Sequence, residues 1–120
     1  MEVKIVIGGC RNYSDYSAFC IFVDECLVEL GLEAEVTIVS GHCSGVDEMA
    51  ERYAAERGFP VIVCPAEWAK YGRAAGPVRN RQMVEQSDAV IAFWDQTSKG
   101  TQSLIRYAKQ QSKRLFIKYI

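Results

Sequence analysis

Three short turns rich in glycine and hydroxyl side chains each follow an apolar run and precede a helical pattern. They occupy residues 8–12, 40–47 and 95–101. A strand that passes through such a turn into a helix leaves backbone N–H groups unpaired, and the helix dipole is positive at the same point. An anion such as phosphate suits this arrangement. The three turns therefore predict a pocket for a phosphate-bearing ligand, most simply a nucleotide.

The second turn carries two glycines, hydroxyls and a carboxylate. Gly41 and Gly45 permit tight backbone turns and the close approach of a ligand. Ser44 can cap the following helix or donate a hydrogen bond to a phosphate. Asp47 lies in the first predicted helical turn, where a carboxylate either stabilises the helix or serves a ligand. In the second case it accepts ribose hydroxyls or acts as an acid–base group.

The third turn offers a glycine, a hydroxyl and a carboxylate beside the predicted start of a helix. Gly100 lets the backbone approach an anion, and Thr101 can donate its hydroxyl there. Asp95 is either a turn residue or an acceptor for ribose hydroxyls. Neither turn matches the G-x-x-x-x-G-K-[ST] phosphate loop, and G-x-G-x-x-G does not follow the first strand. Nucleoside triphosphate hydrolysis and the usual Rossmann mode of cofactor binding are therefore disfavoured.

Residues 65–83 combine cations with aromatic side chains. Arg73 and Arg79 are the best candidates for phosphate contacts, because a guanidinium recognises phosphate as a rigid fork. Pro77 predicts the start of a helix, which puts Arg79 and Asn80 in its first turn. The helix dipole disfavours cations there, so this position favours a functional role for Arg79.

Two aromatic residues and the sole histidine have alternative interpretations. Trp68 and Tyr71 could stack on a base, but core packing or a dimer contact explains them equally well. His42 is interpreted as a polar loop residue rather than an acid–base group.

Apolar runs and helical periodicities alternate along the whole chain. Strands are predicted at 3–7, 36–39, 60–64, 88–94 and 114–119. Helices are predicted at 15–30, 46–57, 77–86 and 100–111, and residues 65–76 are predicted to be irregular. Strands and helices at this spacing predict an α/β fold of one domain spanning residues 1–120. We expect a Rossmann-like three-layer fold with a parallel five-stranded sheet in the order 3-2-1-4-5.

Composition narrows the function classes. The 120 residues are 49% hydrophobic and carry a net charge of −1, which gives no support to a general nucleic-acid or membrane-surface role. No apolar stretch is long enough to cross a bilayer, and no signal-peptide pattern opens the chain, so a cytoplasmic location is expected. Five cysteines without a C-x-x-C pair favour neither a disulfide framework nor a zinc site. No metal or cofactor is expected.

Four segments together resemble the SLOG superfamily, and specifically its YspA/YpsA-related branch. They are GGCRNYSD at 8–15, SGHCSGVDEMAERYA at 40–54, PAEWAKYGRAAGPVRNRQM at 65–83 and FWDQTSKGT at 93–101. The resemblance implies a Rossmann-like fold that binds nucleotides or nucleotide-derived ligands. It further implies a homo-oligomer and a place in bacterial or phage conflict systems.

The wider superfamily includes the LOG phosphoribohydrolases, which release a base from a nucleoside 5′-monophosphate. Arg79, in an R-N-x-x-M motif, resembles their catalytic arginine. Residues 98–101 resemble their P-G-G-x-G-T turn, but Ser103 stands where their motif carries a glutamate. N-glycosidic cleavage needs a carboxylate to stabilise the cationic sugar or to activate water. Because Ser103 replaces that glutamate, the sequence argues against hydrolase activity more strongly than against ligand binding.

The sequence predicts a domain that senses or sequesters a nucleotide-like ligand. The first alternative is an N-glycosidase in which Arg79 and Asp47 are catalytic. The second is single-stranded DNA binding through Arg73, Arg79 and Arg81, by analogy with the DNA-processing protein A branch, although the acidic pI of about 5.8 disfavours a nucleic-acid partner. The candidate ligand-binding residues are Gly8, Gly9, Arg11, Ser40, Gly41, Ser44, Gly45, Asp47, Trp68, Arg73, Arg79, Asn80, Asp95, Ser98, Gly100 and Thr101.

Overall fold

A central sheet of five parallel strands organises the protein. The computed structural model describes residues 2–31 and 35–120. The strand order is β3-β2-β1-β4-β5, which confirms the order predicted from the sequence. The strands are β1 (Glu2–Gly9), β2 (Glu35–Ser40), β3 (Val61–Val63), β4 (Ala89–Trp94) and β5 (Arg114–Tyr119).

Within residues 2–31 and 35–120, five helices and a short 3₁₀ turn lie between the strands. They are α1 (Tyr16–Leu30), α2 (Val46–Arg57), α3 (Trp68–Tyr71), the 3₁₀ turn (Gly72–Ala74), α4 (Ala75–Glu85) and α5 (Lys99–Gln110). Asp15 caps α1 by accepting a hydrogen bond from the Ala18 amide at 3.1 Å. Gly31 and Gly58 end α1 and α2, so both helices stop at the predicted residues 30 and 57.

The helices cover both faces of the sheet, because successive residues of a buried parallel strand point to opposite sides. On one face, Ile5, Ile7 and Phe93 pack against α1 and α2. On the other face, Val6 and Val90 pack against α4 and α5. The three layers of the predicted Rossmann-like fold are therefore present.

Two predicted boundaries were wrong in ways that affect the site. Gly8 and Gly9 do not form a turn: they end β1 and pair with Ala92 and Phe93 of β4. The segment 65–76, predicted to be irregular, contains α3 and the 3₁₀ turn, and α4 begins at Ala75 rather than at Pro77. Proline lacks an amide hydrogen, so a first helical turn accommodates it without losing a hydrogen bond.

Candidate functional site

The crevice beyond the carboxyl ends of β1 and β4 holds a cavity of about 400 Å³. The chain leaves β1 toward the α1 face and leaves β4 toward the α5 face, so the two connections separate at this edge. A parallel α/β sheet binds its ligands at such a switch point. The predicted residues that line the cavity are Gly8, Gly9, Arg11, Asp47, Arg79, Asn80, Asp95, Ser98, Gly100 and Thr101.

Arg79 is a buried cation in the wall of this cavity, only 9% exposed. Its Nη1 donates to the Gly41 carbonyl at 2.7 Å and, more weakly, to the Cys64 carbonyl at 3.4 Å. No carboxylate lies within 4.0 Å of the guanidinium among residues 2–31 and 35–120. Neutral oxygens thus hold the group in place without cancelling its charge. A buried charge of this kind is costly unless a counter-ion joins it.

Asn80 joins Arg79 to the start of α5. The Arg79 Nε donates to the Asn80 Oδ1 at 3.0 Å, and the Asn80 Nδ2 donates to the Gly100 carbonyl at 3.1 Å. Among the residues that the structure describes, the Arg79 Nη2 has the Cys43 sulfur, at 3.9 Å, as its one partner. Its N–H groups therefore stay available in the cavity that the amino terminus of α5 also lines. The predicted place of Arg79 in a first helical turn was wrong, because α4 begins four residues earlier.

The amino terminus of α5 supplies the open amides of the site. The first hydrogen bond along the helix runs from the Gln102 amide to the Ser98 carbonyl at 3.1 Å. The amides of Lys99, Gly100 and Thr101 precede that bond, and the described part of the chain offers them no acceptor. Gly100 has no atom within 4 Å of the place where a Cβ would stand. An anion can therefore approach these amides closely.

Internal hydrogen bonds occupy part of the turn before α2, contrary to the expectation that all three turns present open amides. The Val46 amide donates to the Cys10 carbonyl at 3.2 Å, and the Cys43 amide donates to the Asp47 carboxylate at 3.1 Å. The Ser44 hydroxyl donates to the Arg11 carbonyl at 3.4 Å instead of capping the helix. The loop after β1 thus docks on the amino terminus of α2 and occupies the amide of its first residue.

Asp47 is the buried carboxylate of the cavity, 7% exposed. Burial raises its pKa, while the hydrogen bond from the Cys43 amide and the charge of Arg79 oppose that rise. Its Oδ2 lies 3.0 Å from the place where a Cβ of Gly41 would stand, and Arg79 Nη1 lies 2.7 Å from the same point. A side chain at residue 41 would therefore displace the Arg79 guanidinium or the Asp47 carboxylate from its place in the site.

A model of the YspA, cpYpsA-related SLOG family matches residues 3–71 of the chain, which include β1, the turn before α2 and α2 itself. The protein belongs to this SLOG family. The resemblance read from the four sequence segments is thereby confirmed.

Three individual proteins are similar to this SLOG protein. Gene 61 protein of Mycobacterium phage D29 is 33% identical over 81 residues, which cover 62% of this chain and 65% of that protein. DNA processing protein A of Streptococcus pneumoniae has a TM-score of 0.72 at 22% identity, covering 96% of this chain and 50% of its own. DNA processing protein A of Helicobacter pylori, which binds single-stranded DNA, has a TM-score of 0.65 at 23% identity. The match covers 96% of this chain and 64% of that protein's chain. The chain thus spans about half to two thirds of the length of these relatives.

Six predicted site residues lie outside the first cavity. Gly41, Ser44 and Trp68 line a second cavity beside it. Three others line neither cavity. Ser40 is fully buried and donates to Glu51, Gly45 packs against the backbone of the loop after β1, and Arg73 is exposed in the 3₁₀ turn. Tyr71, proposed for base stacking, also lines neither cavity.

The first cavity is also lined by residues that were not predicted from the sequence as site residues. Met83 and Leu104 give it an apolar wall, and Asn12 and Cys43 contribute polar edges. Cys10 lies at its floor, where burial raises the pKa of the thiol and so argues against a reactive thiolate. The apolar residues carried no signal of their own, because helical periodicity assigns them to the core equally well.

Within the described segments, no helix is long and apolar enough to cross a membrane. The same segments contain no group of three or more His, Cys, Asp or Glu side chains that could hold a metal ion.

Asp95 lines the cavity, but one oxygen of its carboxylate is bound by its own loop. Its Oδ1 accepts hydrogen bonds from the Thr97 amide at 2.9 Å and the Ser98 amide at 2.7 Å. The Ser98 amide, followed by the Thr97 amide, lowers the pKa of Asp95 to about 2. This residue therefore shapes the turn that leads into α5, and one of its oxygens is no longer available to a ribose.

The Asp95→Asn variant is expected to melt at a lower temperature than the wild type near neutral pH. The folded-state pKa of about 2 lies below the unfolded value of about 3.9. The stabilisation is therefore present above the unfolded pKa and is lost as the pH falls through the folded pKa. Melting curves by circular dichroism over this pH range should show the gap closing at the acid end. A gap that is independent of pH would contradict the role of the carboxylate charge.

Proposed function

We propose that this SLOG protein binds a nucleotide or nucleotide-derived ligand, with a phosphate seated between Arg79 and the amino terminus of α5. One observation carries the proposal: the guanidinium of Arg79 is buried without a carboxylate partner among the described residues. The open amides at the amino terminus of α5 also favour a negatively charged group. A phosphate would satisfy both groups at once.

The rest of the cavity suits the other parts of a nucleotide. Asp47 can accept a hydrogen bond from a ribose hydroxyl through Oδ1, since the Cys43 amide occupies Oδ2. Met83 and Leu104 give an apolar surface for the sugar or the base. A volume of about 400 Å³ is within the usual range for small-molecule sites, roughly 300–1,000 Å³.

Binding is tested by melting the protein with nucleoside 5′-monophosphates, the matching nucleosides and inorganic phosphate. A saturating monophosphate is expected to raise the melting temperature by about 5 °C or more, because it stabilises only the folded state. The nucleosides should act far more weakly, since they lack the group that Arg79 recognises. A panel of monophosphates that leaves the melting temperature unchanged would contradict the proposal.

The same mixtures separate binding from catalysis. Asp47 is a buried carboxylate with a raised pKa beside Arg79, a combination that suits general acid–base work in N-glycosidic cleavage. Chromatography detects any released base. Recovery of intact nucleotide supports a sensing or sequestering domain, whereas base release that Asp47→Asn abolishes would make the protein an N-glycosidase.

Single-stranded DNA is the second candidate ligand. The sequence alone had placed DNA binding third, after nucleotide binding and N-glycosidase activity. It is supported by the fold shared with DNA processing protein A of Helicobacter pylori, which binds single-stranded DNA. Arg73 in the 3₁₀ turn and Arg81 in α4 are both exposed and add positive charge to this part of the surface. An affinity for an oligonucleotide that falls steeply with salt would support this candidate.

The proposal includes a cytoplasmic location and a homo-oligomer. All five cysteines are free thiols, which suits a reducing compartment. Light scattering of the purified protein tests the oligomeric state.

A further inference from the structure

A second cavity of about 310 Å³ adjoins the first, and nothing in the proposed function uses it. Arg11, Cys43 and Arg79 line both cavities, so the two are neighbours that share these residues. The second cavity adds His42 and Trp68, and Trp68 is 57% exposed. Its walls therefore combine cationic groups with an open aromatic face. This composition suits a phosphate and a nucleobase.

His42 is held in place at this cavity rather than free in a loop. Its backbone has a φ of 60°, a conformation uncommon for residues other than glycine, and its amide donates to the Ser40 hydroxyl oxygen at 3.1 Å. The ring Nδ1 lies 2.9 Å from the Glu51 Oε2, and the buried Ser40 hydroxyl donates to the same oxygen at 2.8 Å. The carboxylate thus fixes one ring nitrogen, and Nε2 is left for a ligand.

The surrounding charges decide when His42 is a cation. The hydrogen bond and charge of Glu51 raise the pKa of His42, and the more distant Asp47 and Glu48 act in the same direction. All three carboxylates belong to α2. Arg11 and Arg79, two positively charged residues, line the same cavity. His42 therefore becomes protonated at a higher pH than an ordinary histidine and then joins two arginines.

We infer that the second cavity binds a second phosphate together with its nucleoside, so that the preferred ligand is a phosphodiester-linked dinucleotide rather than a mononucleotide. This inference rests on the proposed function, because the first phosphate must occupy the site beside Arg79. The second phosphate lies among His42, Arg11 and Arg79, and Trp68 stacks on the second base. Either a small dinucleotide or the end of an oligonucleotide supplies this chemistry.

Calorimetric titration with 5′-phosphorylated diadenosine (pApA) and with AMP tests the inference at about pH 6 and about pH 9. The 5′-phosphate titrates alike in both probes, and the diester keeps one charge throughout. The ratio of affinities therefore measures the second phosphate together with its nucleoside, and the change of that ratio with pH reports the contact between the second phosphate and His42. The dinucleotide should bind about tenfold more tightly than AMP at the lower pH, as for a charge-assisted contact. The advantage should shrink as the pH rises and His42 loses its proton.

Two variants separate the role of His42 from a structural one. His42→Asn tolerates the positive φ, and it should remove the pH dependence of the dinucleotide advantage while leaving AMP affinity unchanged. Glu51→Gln should move the midpoint of that dependence to lower pH, because the carboxylate no longer supports the imidazolium. Persistence of the pH dependence in His42→Asn would overturn the inference.

The outcomes also distinguish this inference from the proposed function. Absence of AMP binding contradicts the function itself. AMP binding with no preference for the dinucleotide contradicts only the second subsite. A twelve-nucleotide strand that binds no more tightly than the dinucleotide assigns the subsite to a small ligand, whereas a much tighter strand assigns it to an oligonucleotide end.

Discussion

The Gly45→Ala variant is expected to lose about 4 kcal/mol of unfolding free energy. Gly45 has a φ of 73° and a ψ of −120°, which side chains with a Cβ strongly disfavour. An added Cβ would also collide with the backbone carbonyls of Arg11 and Cys10. Urea denaturation with a two-state fit measures the loss, which is a large share of the stability of a domain of this size.

Gly58→Ala is the matched control for this prediction. Gly58 has the same φ of 73° with a ψ of 24° at the end of α2, and no atom lies within 4 Å of the point that an added Cβ would occupy. Only the cost of the left-handed conformation remains, about 1 kcal/mol. Equal losses in the two variants would contradict the tight docking of the β1 loop on α2. That docking also places Arg11, so Gly45→Ala should weaken ligand binding as well.

The fold was predictable because its signals are local. Buried parallel strands give continuous apolar runs, and Gly31 and Gly58 mark helix ends through backbone geometry alone. The order of the strands then followed from the handedness of the crossovers. The family resemblance pointed to the same fold by a separate route.

The candidate site was only partly predictable, because its decisive features depend on contacts between distant segments. The turn before α2 has the composition of an anion site, yet Cys10 occupies one of its amides from 36 residues away in sequence. The absence of a carboxylate within 4.0 Å of the Arg79 guanidinium, among the residues that the structure describes, likewise depends on how α4 packs. The pairing of His42 with Glu51 was missed although the two are only nine residues apart, since a loop conformation with positive φ brings them together.

The Arg79→Met variant is expected to bind a nucleoside 5′-monophosphate about 30- to 100-fold more weakly than the wild type. Methionine keeps most of the length of the side chain and removes every N–H donor. The binding of the matching nucleoside should change little, because it has no phosphate to lose. Calorimetric titration with AMP and adenosine measures both effects, and their difference isolates the charge-assisted contact from general damage to the cavity.

Arg81→Met is the matched control on the same helix. Arg81 is exposed, lies 3.6 Å from Glu85 in a surface ion pair, and lines neither cavity. Its replacement should change stability by less than about 1 kcal/mol and leave AMP affinity intact. If single-stranded DNA is the true ligand, Arg81→Met should also weaken binding. It then lowers DNA affinity and reduces the salt dependence, because DNA binding with one phosphate contact fewer releases fewer counter-ions. Equal AMP affinity in Arg79→Met and the wild type would remove the buried guanidinium from the binding site and leave the proposed function without its main support.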